Sequence, residues 1–320
     1  VEHGKIADTL AEYIALPDGA ADAVTLWIAH AHAFKLFPCT PRLNIRSPEK
    51  RCGKSTCRDV IALLVPKPLL TENMTTAVLF RVIDRYQPTV LADEYDTWLR
   101  DNEELRGVLN AGHKLGGAAW RCVGDNYDVR GFNAFAPVVL VGIGALPSTL
   151  HDRSIVIRLA HAKHGEVKRR FDSQRTQAEN ELCRKLARWC ADHAKQIRAA
   201  DPLLPAGAFN RLADNWRPLF AIAEVVGGDW PQRAARAFAL LTSQDDVDAH
   251  GIGTILLADV RTLFNEAATD RMFSKALVDS LVAMADEPWS EAHRGREINE
   301  NWLAWIFGLC KSWQVIRRSP

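Results

Sequence analysis

Ser47-Pro48-Glu49-Lys50-Arg51-Cys52-Gly53-Lys54-Ser55-Thr56 lies between a strand-like run, Arg42-Leu43-Asn44-Ile45-Arg46, and a helix-like run, Cys57-Arg58-Asp59-Val60-Ile61-Ala62-Leu63-Leu64. A strand, a loop closing on Gly-Lys-Ser and a helix form the layout that cradles nucleotide phosphates. Backbone N–H groups of the loop and helix start point at the anion, a lysine reaches the outer phosphates, and a hydroxyl ligates magnesium. Here the cradle would be Arg51, Cys52, Gly53, Lys54, Ser55 and Thr56. The phosphate-loop pattern has Pro48 where its first glycine belongs. Proline lacks an N–H and has a fixed φ, yet this position is the strand exit, ahead of the phosphate-facing donors. Taken alone, the tripeptide also fits an ordinary strand-to-helix turn.

Pro88-Thr89-Val90-Leu91-Ala92-Asp93-Glu94 favours the first reading. It reads as a short buried strand ending in adjacent carboxylates, and isolated buried charges are costly. Magnesium, held together with Ser55 and through water, accounts for Asp93. Activation of an attacking water accounts for Glu94. The alternative is a solvated strand end, with Asp96 as a further surface acid.

A chain of 320 residues exceeds one typical domain. Its net charge of +1 announces neither a nucleic-acid nor a membrane partner, although a ring can concentrate basic groups in its channel. Seven cysteines, none in a Cys-x-x-Cys pair, argue for a reducing cytoplasm and against a zinc site. Cys52 and Cys57 read as small packing residues. No basic-then-apolar leader and no apolar run of membrane-spanning length is present, so a cytoplasmic location without membrane contact is expected. A chain starting at Val1 suggests a piece of a longer protein.

Apolar periodicity predicts helices over 6–15 and 20–34, then strand 42–46, helix 54–64, strand 68–71, helix 75–86 and strand 89–93. Helical segments follow at 95–100 and 102–113. Residues 119–123 and 128–132, joined by Gly124-Asp125-Asn126-Tyr127, read as a hairpin. Strands 138–143 and 155–159 complete an α/β fold, a parallel sheet of about five strands sandwiched by helices. Residues 165–199 read as one long charged helix, its start at 161–170 a solvated surface, followed by helices at 208–226 and 230–241. A polar linker at 242–246, helices at 251–266, 274–284 and 299–310, and a strand at 313–316 end the chain. The predicted units are 1–163, 164–245 and 246–320.

The arrangement resembles the ring-forming ATPases with associated activities, on the branch with a hairpin before the fourth strand. More closely, it resembles the ATPase domain of phage, plasmid and mobile-element primase–helicase proteins, related to the superfamily-3 ring helicases. The residues carrying the resemblance are Ser47 to Ser55, Leu91-Ala92-Asp93-Glu94, Leu99-Arg100-Asp101-Asn102-Glu103-Glu104-Leu105-Arg106-Gly107, Leu150-His151-Asp152-Arg153-Ser154-Ile155-Val156-Ile157-Arg158 and Asp214-Asn215-Trp216-Arg217-Pro218-Leu219. The resemblance implies a phosphate-loop ATPase core, a helical lid over 164–245 and a small winged-helix-like unit. It also implies ATP and Mg2+ as cofactors, a hexameric ring and an upstream primase domain in a longer chain.

By position, it makes Arg153 a finger reaching the neighbouring subunit's nucleotide, where a guanidinium stabilises charge on the γ-phosphate. A surface arginine paired with Asp152 is the alternative. Arg217 becomes a second sensing arginine in the lid, or else a structural one stacked on Trp216. The fourth strand ends Val141-Gly142-Ile143-Gly144-Ala145, where relatives carry a polar residue that positions water. Asn110 or His113 would have to substitute.

In related helicases the hairpin contacts a nucleic-acid strand. Here it offers Trp120, Arg121, Asn126 and Arg130 for phosphate attraction and base stacking. Asp125 and Asp128 at its tip oppose that, and a subunit-packing hairpin stays open. The last helix has no Lys or Arg and reads as a core or protein-contact element. The leading expectation is therefore an ATP-hydrolysing, helicase-like ring motor acting on single-stranded DNA. A nucleotide-dependent assembly switch without unwinding is the competing one, and a small-molecule kinase a third.

Overall fold

The computed structural model describes residues 2–99, 102–249, 252–267, 269, 271–284, 288–290, 292 and 297–309. Helices α1 (Glu2–Tyr13) and α2 (Ala20–Ala33) precede β1 (Arg42–Ser47), α3 (Lys54–Leu64), β2 (Pro68–Thr71), α4 (Thr76–Tyr86) and β3 (Thr89–Ala92). Then come α5 (Tyr95–Trp98), α6 (Glu103–Ala111), the hairpin strands β4 (Ala118–Val123) and β5 (Asp128–Asn133), β6 (Val138–Ile143), α7 (Ser148–His151) and β7 (Ser154–Arg158). The remainder is helical: α8 (Gln177–Asp192), α9 (Ala194–Ala199), α10 (Asn210–Val226), α11 (Trp230–Ala249), α12 (Ile252–Glu266), α13 (Ser274–Val282) and α14 (Glu300–Leu309).

The fold is mixed α/β, built on a five-stranded sheet of order β2-β3-β6-β1-β7. Every pairing in it is parallel, and Ile45 lies level with Val141 on one side and Ile157 on the other. Parallel strands covered on both faces need apolar residues at successive positions, and Val138, Val139, Leu140 and Val141 are all buried. Side chains alternate between two cores. Leu43, Ile45, Leu91, Val139 and Ile157 pack with residues of α1, α2, α3, α8 and α10. Val90, Ala92, Val138 and Leu140 pack with α4, α6 and Leu150 of α7 on the other face. The hairpin forms a separate two-stranded antiparallel sheet.

The chain divides into compact units Val1–Thr242 and Ser243–Pro320. The division anticipated at 163/164 is absent, because Leu186, Cys190, Ile197, Leu219 and Ile222 share the core of α2 and α3. The single helix anticipated over 165–199 is also replaced. Residues 160–176 contain no helix, and α8 and α9 meet at His193. Tertiary contacts override the local pattern: the Lys168 and Arg169 amides donate to the Glu12 carbonyl at 3.0 and 2.9 Å. Arg169 sits 5.2 Å over the Tyr13 ring, and Phe171 meets the same ring edge-on. The stretch 242–246, anticipated as a linker, is helical within α11. In the second unit, Leu256, Leu277, Leu281, Trp289 and Trp302 form a core of their own, and Trp289 Nε1 donates to Asp259 at 2.8 Å. The strand expected at 313–316 lies outside the described residues.

Polar groups are enclosed at the amino ends of the strands. The Arg42 guanidinium is wholly buried and donates to the carbonyls of Ala136 (2.7 Å) and Leu109 (2.6 Å). His30 pairs with Thr40 at 3.0 Å and His113 with Asn215 at 2.9 Å. Burial pushes both histidines down to about 3, helped for His30 by His113 and Arg42, and for His113 by Arg42. They fold neutral, whereas the unfolded chain protonates them below its ordinary value near 6.5. Stability from this source is therefore complete above that value and falls as pH drops. Between about pH 7.5 and pH 5 the two histidines should together cost about 4 kcal/mol, measured by denaturant unfolding at each pH.

Candidate functional site

β1 sends the chain through α3 to the β2 edge, whereas its neighbour β6 sends it through α7 to the β7 edge. Strand connections that diverge this way open a crevice at the carboxyl ends. A cavity of about 560 Å3 lies there, lined among others by Gly53, Lys54, Ser55, Asp93, Glu94 and Gly142.

The loop after β1 takes left-handed backbone at Arg51 (φ 67°) and Gly53 (φ 83°). Gly53 precedes α3, whose first turn has no side-chain cap. Its leading N–H groups therefore have no partner within the helix and face the cavity end. Lys54 Nζ folds back onto the Glu49 carbonyl (2.9 Å) and Ser47 Oγ. One helical step on, Ser55 Oγ donates to Asp93 Oδ2 at 3.2 Å. The strand–loop–helix and the acid pair thus meet at one place, with β6 between their strands.

Asp93 is buried and both of its carboxylate oxygens accept hydrogen bonds. Oδ1 accepts the Glu94 amide at 2.9 Å, and Oδ2 also accepts Arg58 Nη1 at 2.8 Å. Trp98 Nε1 donates to the Asp93 carbonyl at 2.8 Å. Glu94 is exposed on the cavity wall and carries φ 52°, a left-handed backbone uncommon for a non-glycine residue. That turn directs the chain into α5 and returns Asp96 to the sheet. Asp96 Oδ1 accepts the Ile143 amide at 2.9 Å, and Tyr95 OH donates to the Gly144 carbonyl at 2.8 Å. Burial pushes the Tyr95 phenol upward. Asp96, which its spacing suggests is a surface acid, instead fixes the tip of β6.

A second cavity of about 540 Å3 is lined by Ile14, Leu16, Pro17, Asp18, His161 and Lys163, among others. It adjoins the loop: Ile14 Cγ2 is 3.9 Å from where a Cβ on Gly53 would sit, and His161 Nε2 lies 3.1 Å from Glu49. Sequence reasoning gave no sign of it, because its wall combines the α1–α2 turn with the segment after β7.

Other candidates lie elsewhere. Arg153 precedes β7, and its carbonyl accepts the Arg42 amide at the start of β1, so it occupies the amino end of the sheet, opposite Lys54. Its Nη1 donates to the Thr149 carbonyl at 2.6 Å, and burial followed by Arg211 lowers its pKa. Arg217 does not line the cavity. It pairs with Asp201 at 2.7 Å, while nearby Asn215 binds the Asp152 carbonyl and His113 at the amino end. Asn110 and His113 do not replace the absent polar residue of β6: Asn110 donates to Thr149, and His113 is enclosed beside Arg42.

The hairpin arginines are paired with acids of the neighbouring helices, although the Arg130 side chain stays 57% exposed. Arg121 pairs with Glu104 at 2.5 Å and stacks over Phe80, and Arg130 pairs with Asp84 at 3.1 Å over Phe132. Alternation along the strands leaves Trp120 and Val129 on the outer face, 66% and 71% exposed, with Tyr127 and Asn126 in the turn. The basic groups anticipated for phosphate contact clamp the hairpin to α4 and α6.

Among the described residues no helix is long and apolar enough to cross a membrane. Nor does any group of three or more His, Cys, Asp or Glu there suit a metal by itself. A family model described as "Protein of unknown function (DUF3631)" matches residues 158–310, beyond Lys54 and Asp93. The chain is also similar to an "Uncharacterized 28.9 kDa protein in xis 5'region" of Saccharopolyspora erythraea, 35% identical over 109 residues. That alignment covers 34% of this chain and 40% of the relative's length.

Gly142 gives the site a direct structural test. A Cβ there would meet Asp96 Oδ1 at 2.7 Å and the Tyr95 ring at 2.8 Å. Gly142→Ala should destabilise the first unit by about 1–3 kcal/mol through overpacking, seen as a lowered melting temperature.

Proposed function

We propose that this chain is an ATP-hydrolysing domain of the phosphate-loop class, working as a helicase-like ring in mobile-element DNA replication. The observation that carries the reading is the Ser55–Asp93 contact at the uncapped start of α3, with Lys54 alongside on a cavity of about 560 Å3. Helix N-termini bind anions through free N–H groups and the helix dipole. The amides of Gly53 to Thr56 would bind the phosphates. Lys54, released from Glu49, would hold the β- and γ-groups.

The donors suit Mg2+, which takes few protein ligands and completes its shell with water and phosphate oxygens. Ser55 and Asp93 would hold it. When bound, it supplies charge neutralisation on the β- and γ-phosphates. Glu94, exposed at the cavity wall, would accept the proton of the attacking water. The adjoining cavity, with its apolar Ile14, Leu16 and Pro17, suits the base. Arg153 lies at the far end of the sheet from its own Lys54, so a finger role requires a neighbouring copy, which favours the ring. An upstream primase domain, single-stranded DNA as partner and a cytoplasmic setting complete the proposal.

The pairing of both hairpin arginines with acids of α6 and α4 favours a second reading, a nucleotide-dependent assembly switch that oligomerises without displacing a strand. An unwinding assay separates the two.

Lys54→Ala should weaken ATP binding at least about tenfold, because it removes a charge-assisted contact to phosphate. Glu94→Gln should retain binding yet lose about 100-fold or more in turnover. Equilibrium binding and phosphate release measure these, and unchanged turnover in both variants rejects the site. Native mass measurement with and without a non-hydrolysable ATP analogue should show a nucleotide-stabilised ring. An Arg153→Ala chain should still form it while hydrolysing slowly.

A further inference from the structure

Among the described residues Arg58 is the one cation paired with Asp93, and its guanidinium is divided between two sets of partners. Nε and Nη2 hold Asp59 Oδ1 at 2.9 and 2.8 Å, which anchors one edge of the fork. Nη1 binds Asp93 Oδ2 at 2.8 Å, and the same nitrogen stands 3.8 Å from Glu72 Oε1. The side chains of Arg58 and Asp93 are 11% and 10% exposed, whereas that of Glu72 is 75% exposed. A buried carboxylate needs a compensating charge, and Arg58 supplies it at the very oxygen that accepts Ser55. A guanidinium and a divalent cation facing that one oxygen would repel each other strongly in so enclosed a place.

We propose that Arg58 is a metal-responsive latch. In the resting chain it neutralises Asp93. When a divalent cation is bound between Ser55 and Asp93, Nη1 passes to Glu72 while Asp59 keeps the rest of the fork in place. The latch makes the site selective for nucleotide that arrives with its metal, and it keeps Asp93 compensated when the site is empty. It rests on the proposed nucleotide site and deepens it. Arg58 is a positioning residue that acts through Asp93.

The test is binding of a fluorescent ATP analogue to the unaltered chain, Arg58→Met and Glu72→Gln, titrated with Mg2+ and repeated in EDTA. Arg58→Met should lower the half-saturating Mg2+ concentration by about tenfold, since a competing charge is gone. Glu72→Gln, at an exposed position, should raise it by about threefold by removing the landing carboxylate. Binding in EDTA should be the same for Glu72→Gln and the unaltered chain. Unchanged Mg2+ dependence in Glu72→Gln, or a raised requirement in Arg58→Met, overturns the latch while leaving the nucleotide site intact. Should Arg58→Met fail to fold, Glu72→Gln decides by itself. Absence of nucleotide binding by the unaltered chain in both conditions overturns the proposed function and the latch with it.

Discussion

Asp93 is nearly enclosed at the tip of β3, and the four groups gathered on its carboxyl and carbonyl oxygens come from three directions. Ser55 and Arg58 reach it from α3, the Glu94 amide from the turn that follows, and Trp98 from the end of α5. A buried carboxylate left without partners would be severely unfavourable, so these contacts fix the start of α3 to the end of β3 across the intervening β6. The turn at Glu94 then has little freedom. It must reverse the chain sharply enough for Asp96 and Tyr95 to close on the end of β6, and this is why the strand carries glycine at 142. The cavity floor, the loop before α3 and the last residues of three strands all depend on how Asp93 is satisfied.

The sheet was legible because parallel strands buried on both faces leave unbroken apolar runs. Val138 to Val141 cannot easily be read otherwise. The Gly-Lys-Ser tripeptide and the Asp93–Glu94 pair were legible for a different reason, since each sets a residue type where packing alone would not choose it. Arg58 and Asp96 were not legible, because each looks like an ordinary polar residue on a short helix until the fold brings Asp93 and Ile143 beside them. The hairpin shows the same limit. Arg121 and Arg130 find acids 17 and 46 residues away, and no local spacing reveals that a basic strand residue is already claimed. The segment after β7 failed through competition: its charged residues suit a helix, but Glu12 and Tyr13 of α1 offer the Lys168–Phe171 stretch backbone and ring contacts that a helix would forgo.

The two ends of the sheet are built on opposed principles. At the amino ends, Arg42 donates to the Ala136 and Leu109 carbonyls and Asn215 bridges His113 and the Asp152 carbonyl, contacts that hold α6, α10 and the start of β1 together. At the carboxyl ends, the loop amides, Lys54 and Glu94 border open volume, with only weak or local partners to displace. Under the proposed function, a site that would exchange Lys54 contacts for phosphate needs its strands held elsewhere.

This polarity also separates the parts of the proposed function. Phosphate binding needs only groups at the carboxyl ends of one copy, so it stands independently of any assembly. Arg153 belongs to the amino end and cannot reach its own Lys54 while β7 remains paired with β1. Any catalytic use of Arg153 therefore requires a second copy whose carboxyl-end site faces it. Under the proposed function, such a domain would bind nucleotide as a single chain and hydrolyse it efficiently only in company. The same geometry serves a motor or a switch, and what the outer face of the hairpin touches decides between them.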